Sequence, residues 1–337
     1  MRGFFTTRTF RCKRSFARAI WACPFRCLFV IALLIGPCAA ADTLEVGPGR
    51  ALTSPAQAAA AARDGDRVIL DPGVYLACAI WTASHLTVEA RPRPAGLNPT
   101  VMSQVVVTGT VCAGRALFIF TGSDIAVRGI SFQNARGREH NGAGILMEGD
   151  NLSVEDSHFL NNENGILTGG TVSSAVRVTR SLFQGNGSCQ GACAHALYIG
   201  QGIGRLEVQG CVFLDTHTGH HIKSKAHLTI VRDSRIEDGT KGNASYLIEL
   251  PFGGDAEIVN NVLQKGARSE NRDVAISIGA EGARYPTAFM TIRGNRFVSD
   301  LPELVRFVRN RTSFPVHLSR NTIIGRVVPL EGPGTAE

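Results

Sequence analysis

Down most of the chain an aliphatic residue is followed five positions later by a large apolar one, often with Gly or Asn between or after them. The pairs are Val127/Phe132, Val154/Phe159, Val178/Phe183, Val208/Phe213, Val231/Ile236, Ile258/Leu263, Ile292/Phe297 and Leu318/Ile323, with starts 23 to 34 residues apart. A period of that length marks a solenoid, whose units bury their apolar faces only against their neighbours. Between the pairs runs a second short apolar stretch per repeat, such as Gly165-Ile166-Leu167-Thr168 or Leu247-Ile248-Glu249-Leu250, without a helical 3.6-residue period. Leucine-rich repeats share the period, but their Leu-rich consensus is missing. Several strands per turn and no helices predict an all-β chain wound as a parallel β-helix. Asn161-Asn162, Asn260-Asn261 and Gly294-Asn295 suit its tight corners, because both residue types tolerate left-handed backbone angles.

Side chains alternate across a strand, so the apolar positions set the register. Ile145, Ile166, Leu197, Ile222, Ile248 and Ile276 form one inward ladder, and Met147, Thr168, Ile199, Ser224, Leu250 and Ile278 the next. The residues between them, Leu146, Leu167, Tyr198, Lys223, Glu249 and Ser277, are then an outward column. A second outward column is expected at Gly144, Gly165, Ala196, His221, Leu247 and Ala275, and a third at Glu148, Gly169, Gly200 and Lys225.

The open end of such a stack needs a cap. Ser54-Pro55 followed by Ala56 to Arg63 reads as an N-capped helix with Pro at its first position. Next comes Gly65-Asp66-Arg67-Val68-Ile69-Leu70-Asp71-Pro72-Gly73-Val74-Tyr75. This order resembles the opening of the right-handed β-helix proteins of the pectate-lyase-like superfamily, over about residues 50 to 325. The resemblance implies a single-stranded right-handed parallel β-helix. It leaves function wide, because the superfamily holds polysaccharide lyases, uronan epimerases, glycoside hydrolases, esterases, tailspikes and adhesins. The expected division is a cleaved leader at 1–41, the cap at 42–66, the β-helix at 67–328 and a frayed tail at 329–337.

Composition changes the picture mainly at the N-terminus. Of 337 residues 44% are apolar and 19% charged, which excludes a disordered chain. The net charge of +7 suggests nucleic acid, but residues 1–41 hold seven Lys/Arg and no acid, leaving 28 basic against 28 acidic residues. Nucleic acid is therefore not an expected partner. The basic stretch, the apolar run Cys27 to Gly36 and Ala39-Ala40-Ala41 read as a signal peptide cleaved near Ala41. The apolar run is roughly half of what a membrane span of about 20 residues needs. Export to the periplasm or outside, with no membrane attachment after cleavage, is the expected fate.

Five cysteines follow the leader. An oxidising compartment favours Cys189 with Cys193, and Cys78 with Cys112, as disulfides, leaving Cys211 as a buried thiol. A zinc site from Cys189, Cys193 and nearby His is an alternative without a second paired half.

The titratable groups concentrate in the middle of the solenoid: His195, His217, His220, His221 and His227 lie within 33 residues, around Lys223 and Lys225. Coils stack about 4.8 Å apart, so Tyr198, Lys223 and Glu249 become neighbours on one open face. β-Elimination of a uronic-acid polymer needs a neutralised carboxylate, a base for the C5 proton and an acid for the departing O4. Lys223, Tyr198, His221 and Glu249 are the catalytic candidates, with Lys225, His195, His217 and His220 around the substrate. One reading makes a lysine the base, its pKa depressed by its neighbours. In another, Glu249 pairs with Lys223, raises its pKa and makes it a carboxylate binder. His195 and His220 fall near a corner and either orient these groups or bond the backbone.

C5-epimerisation starts with the same proton abstraction. Lys with Tyr or His on a β-helix groove is similar to the lyase and epimerase branches of the superfamily, which implies an acidic polysaccharide as partner. No Asp-Pro-His-Glu stretch, calcium-binding acidic cluster or paired-Asp hydrolase motif accompanies it. A hydrolase using Glu249 with Glu163 or Asp215, a noncatalytic glycan-binding surface protein, and a metal site at His217, His220 and His221 complete the alternatives. No cofactor is called for, and a monomer is expected. Alone, Lys223 beside Glu249 would be an ordinary cross-strand pair. Their coincidence with Tyr and His in adjacent coils makes the case for a site.

Overall fold

The computed structural model describes residues 41–91 and 103–337. The expected leader, apart from Ala41, lies outside these residues. Each coil contributes a strand to each of three parallel sheets. Ile125–Arg128, Ile130–Gln133 and Ala143–Met147 make one coil, and Leu152–Glu155, His158–Leu160 and Asn164–Thr168 the next. The sheets hold 12, 10 and 10 strands, and each strand pairs with its equivalents one coil before and after. We call them the first, second and third sheet in the order the chain visits them. Among the described residues no helix is long and apolar enough to cross a membrane.

The five-residue spacing of the apolar pairs spans the corner between first and second sheets. Val127 pairs in register with Val154, and Phe132 with Phe159, so like residues stack. Phe132, Phe159, Phe183 and Phe213 form a column inside the coil, with successive ring centroids 5.3, 4.7 and 4.5 Å apart. All four are fully buried, and burying each side chain is worth about 1.5–3 kcal/mol.

At the same corner one residue per coil takes a left-handed backbone: Gly129, Asp156, Arg180, Gly210, Asp233, Asn260, Gly294 and Arg320. The turn leaves backbone N–H groups buried, and the next residue's side chain accepts from the coil before. Ser157 N–H donates to Ser181 Oγ at 3.2 Å, Ser234 N–H to Asn261 Oδ1 at 2.9 Å and Asn261 N–H to Asn295 Oδ1 at 2.9 Å. Cys211 occupies a rung of this ladder, with its Sγ 3.4 Å from the Val178 carbonyl, and burial pushes its thiol up to about 12.

The helix Pro55–Ala61 sits at the N-terminal end, with the Ser54 hydroxyl accepting from Gln57 N–H at 3.3 Å. Disulfides join Cys78 to Cys112 and Cys189 to Cys193. The latter bond removes both thiols from the zinc alternative. The tail expected to fray at 329–337 is instead built into the stack. Val327–Glu331 pairs with Val305–Asn310, and Gly334–Ala336 with Val316–Ser319, so main-chain bonds hold it.

The second outward column also needs correction. Ala196, His221, Leu247 and Ala275 are buried completely, and three of them belong to the apolar core. The paired register passes from His220↔Tyr246 to Ile222↔Ile248 and skips the residue between, as it does at Gly144. This bulge-like break turns two successive side chains inward and recurs at Ala275 and Phe307.

Asn295 is buried and links three coils: its Nδ2 donates to Ile258 O at 2.9 Å and to Asn321 Oδ1 at 3.0 Å, while its Oδ1 serves Asn261. Asn295→Leu leaves these groups unpaired and is expected to lower stability by about 2–4 kcal/mol. Urea unfolding should show a lower midpoint with little change in slope; an unmoved midpoint would show that the ladder contributes nothing.

Candidate active site

Three strands of the third sheet carry the site: Leu197–Ile199, His220–Ser224 and Tyr246–Leu250. Tyr198 pairs in register with Lys223, and Lys223 with Glu249, so the three outward side chains come from adjacent coils. Longer connections on either side build walls. The loop closed by Cys189–Cys193 forms one, and segments carrying Glu270, Asn271 and Glu281 form the others, around a cleft of about 620 Å³. Tyr198, His195, His220, Lys223 and Lys225 line it.

Two lysines and two glutamates form a balanced cluster over the sheet. Lys223 Nζ lies 3.1 Å from Glu249 Oε2 and 2.8 Å from Glu281 Oε1, and Lys225 Nζ lies 2.8 Å from Glu281 Oε2. Glu249 Oε2 also lies 3.0 Å from His220 Nε2. One carboxylate oxygen of Glu249 thus stands within 3.1 Å of both an imidazole and an ammonium nitrogen. Burial works to lower the Lys223 pKa, but Glu249 and Glu281 outweigh it and leave it raised. Lys223 is therefore an ammonium that binds carboxylates, and the alternative in which it is a depressed base is not the one the geometry takes. Glu249 is held below the usual carboxylate range. Its burial acts the other way and is overcome by His220 and Lys223.

Behind these groups, histidines form a ladder of their own. His195 N–H donates to Asn164 Oδ1 at 2.8 Å, His220 N–H to His195 Nδ1 at 3.0 Å, and Tyr246 N–H to His220 Nδ1 at 3.3 Å. Each imidazole accepts at Nδ1, which places the proton of its neutral form on Nε2. The rings of His195 and His220 stack at 4.5 Å. Burial, reinforced by His220, Lys223 and Lys225, drives the His195 pKa well down and keeps the ring neutral.

Tyr198 stands edge-on to His195, with ring centroids 5.0 Å apart, and its ring centroid is 5.8 and 5.9 Å from the two ammonium nitrogens. Its half-buried hydroxyl has no hydrogen-bond partner among the described residues.

A family model described as a right handed beta helix region matches residues 96–234. A solved alginate lyase from Paenibacillus sp. str. FPU-7 is similar over 88% of this chain and 99% of its own, with a TM-score of 0.60 at 16% identity. The chain has the right-handed parallel β-helix fold. A pectin methylesterase from Aspergillus niger is similar over 86% of this chain and 91% of its own (TM-score 0.46, 8% identity). The A-module of a mannuronan C-5 epimerase from Azotobacter vinelandii is similar over 82% and 93% (TM-score 0.38, 14% identity). No curated protein sequence matches the chain.

The β-helix thus brings Tyr198, Lys223, Lys225, Glu249, His195 and His220 together. It does not bring in His221, which points into the coil, with Nδ1 2.8 Å from Thr216 Oγ1 and Nε2 3.0 Å from Asp238 Oδ1. His217 is exposed and lies outside the cleft lining. Glu163 and Asp215 are not cleft residues either. Glu163 accepts from Gly137 N–H at 2.8 Å and Gly142 N–H at 2.6 Å, and Asp215 from Gln184 Nε2 at 3.1 Å. The carboxylate pair expected of a hydrolase is not assembled from them.

Glu270, Asn271 and Glu281 are cleft residues that the sequence reading missed, and of these Glu281 pairs with the lysines. A signal for it existed: the step from Ile258 to Ile292 is the longest of the repeat spacings, and Glu281 lies on the extra loop that this length creates. The Cys189–Cys193 loop likewise lies in the 30-residue step from Val178 to Val208.

His195 also predicts a pH effect. Its folded pKa is depressed, so the unfolded chain binds more protons; the associated stability is complete above about pH 6.5 and drains as pH falls below it, by at most about 1.4 kcal/mol per unit. His195→Gln should flatten this part of the decline in thermal melts between about pH 6.5 and 5, a window in which ordinary carboxylates stay ionised. An unchanged slope would contradict the assignment of a neutral His195.

Proposed function

We propose that this chain is an exported carbohydrate-active enzyme that removes the C5 proton of a uronic-acid residue in an acidic polysaccharide, with β-elimination as the outcome. The observation that carries this reading is the pair of ammonium groups, Lys223 and Lys225, converging on one carboxylate position beside the ring of Tyr198, whose hydroxyl has no hydrogen-bond partner among the described residues. A sugar carboxylate held there is neutralised, which acidifies the adjacent C5–H and stabilises the charge that develops as the proton leaves. Glu249 and His220 fix the position of Lys223. In its ionised form the Tyr198 oxygen takes the C5 proton, the C–H electron pair becomes the C4=C5 double bond, and the C4–O4 bond breaks. The same phenol returns the proton to O4, which restores the ionised oxygen. Neither the cleavage nor the proton transfer requires a cofactor.

The geometry favours elimination over epimerisation. Epimerisation needs a second proton carrier on the opposite face of the sugar. His220 has Nδ1 occupied by the Tyr246 N–H and Nε2 facing Glu249, and His195, with its Nδ1 taken by the His220 N–H, has its ring 5.0 Å from that of Tyr198, beside the phenol and not across the sugar from it. The basic, apolar leader and the two disulfides support action outside the cytoplasm.

The test is to incubate the mature protein with alginate, polygalacturonate and hyaluronan while following the ultraviolet absorbance of the unsaturated uronyl product. Tyr198→Phe should lower kcat by about 10²–10⁴-fold with little change in KM, whereas Lys225→Ala should raise KM. New reducing ends without the absorbance would mark a hydrolase, C5 proton exchange without it an epimerase, and either result would overturn the elimination reading.

A further inference from the structure

Two positive and two negative side chains pair with one another over the sheet, with Glu270 on the cleft wall outside this cluster, and the two paired carboxylates are held differently. Glu249 is buried on a strand of the sheet, between Lys223 and His220. Glu281 reaches in from a loop, and its side chain keeps 37% of its exposure while bridging the two lysines. Among the described residues, Lys225 has Glu281 as its carboxylate partner.

The backbone that carries Glu281 is fixed. Gly279 N–H donates to Leu250 O at 2.9 Å, Glu281 N–H to Pro251 O at 3.0 Å and Arg284 N–H to Phe252 O at 2.8 Å. The Arg284 guanidinium lies 4.0 Å over the Phe252 ring, and Tyr285 stacks on His227 at 3.8 Å. Rotation of the Glu281 side chain into solvent therefore opens the lysine pair without moving the loop.

From this we infer that Glu281 is a built-in stand-in for the substrate carboxylate, and that binding is an exchange in which one uronate group replaces it between Lys223 and Lys225. The charge arithmetic fits such an exchange. With Glu281 in place the two lysines and two glutamates cancel; with Glu281 turned out, the site lacks one negative charge, which one uronate carboxylate supplies. A neutral or esterified sugar cannot restore the balance and leaves two partly desolvated ammonium groups with Glu249 alone. Glu281 is thus a specificity-determining residue, and it lowers apparent affinity for a carboxylate ligand by the fraction of time it fills the site. This inference rests on the reading of Lys223 and Lys225 as the carboxylate-binding pair.

Calorimetric titration with alginate tetrasaccharide, in the Tyr198→Phe background so that the ligand stays intact, tests it. Glu281→Gln should tighten binding by about tenfold, since the competing charge is removed while the side-chain size stays the same, and Glu281→Ala should act in the same direction. Fully methyl-esterified oligogalacturonate should show no such gain. Glu270→Gln removes an equal charge from the cleft wall without vacating the lysines, and should shift alginate affinity far less. Equal gains from Glu270→Gln and Glu281→Gln, or a Glu281→Gln variant that binds no more tightly, would overturn the inference. The proposed reaction stands or falls separately. A tenfold gain in binding with no elimination by the wild-type protein rejects the reaction and keeps the exchange, while elimination with unaltered affinity in Glu281→Gln does the reverse.

Discussion

In-register stacking of successive coils is the constraint on which everything else in this molecule depends. Because each strand pairs with its equivalent one coil away, a residue cannot choose its neighbours independently: it sits between the residues at the same position of the coils on either side. A choice that suits one coil is therefore repeated. Phe follows Phe within the coil, side chains that accept from backbone N–H groups follow one another at the corner, and imidazole follows imidazole behind the third sheet. Each column solves a local problem, filling volume or satisfying a buried N–H, and the solenoid repeats the solution.

The same constraint concentrates charge. On the outer face of the first sheet it yields ion pairs such as Arg177 with Glu207 and Arg232 with Glu257, both at 3.1 Å. On the third sheet the longer connections wall the face in, and there Lys223 and Lys225 keep only 13% and 14% of their side-chain exposure. Withdrawn from water, an ammonium group needs a partner within a few ångströms. Chemistry arises where the ladder of like positions is enclosed by insertions that the ladder itself does not require.

This also explains what was legible in the sequence. Inward ladders and the outward column Tyr198, Lys223 and Glu249 follow from alternation, a property of any strand, and the coordinates place them in register. His221 did not follow, because the bulge-like break before Ile222 interrupts alternation, and where two earlier coils carry Gly144 and Gly165 at the break this coil carries His221 itself. Its interior position is made tolerable by Thr216 and Asp238, which come from turns whose conformation no periodicity encodes. Lys265 was missed for the same reason. Fully buried, it donates to Ser245 O and Ser269 Oγ, both at 2.8 Å, and burial, only partly offset by Asp238 and Asp273, lowers its pKa to about 8. Glu281 was visible only as surplus length in one repeat; a loop's length shows that it projects, not which of its residues returns to the face.

That surplus length bears on how such a site can exist before substrate arrives. An empty cleft with two half-buried lysines and one glutamate would carry an uncompensated charge in a region poor in water, a cost paid in stability. A permanent second buried glutamate on the sheet would remove the cost and also remove the binding site. Placing the second carboxylate on a loop with its side chain one-third exposed meets both demands. The resting protein is neutral where it must be dry, and the neutralising group is the one member of the cluster that can return to water without disturbing a strand. The rigid ladder sets where the cations stand, and the irregular insertion makes their partner exchangeable.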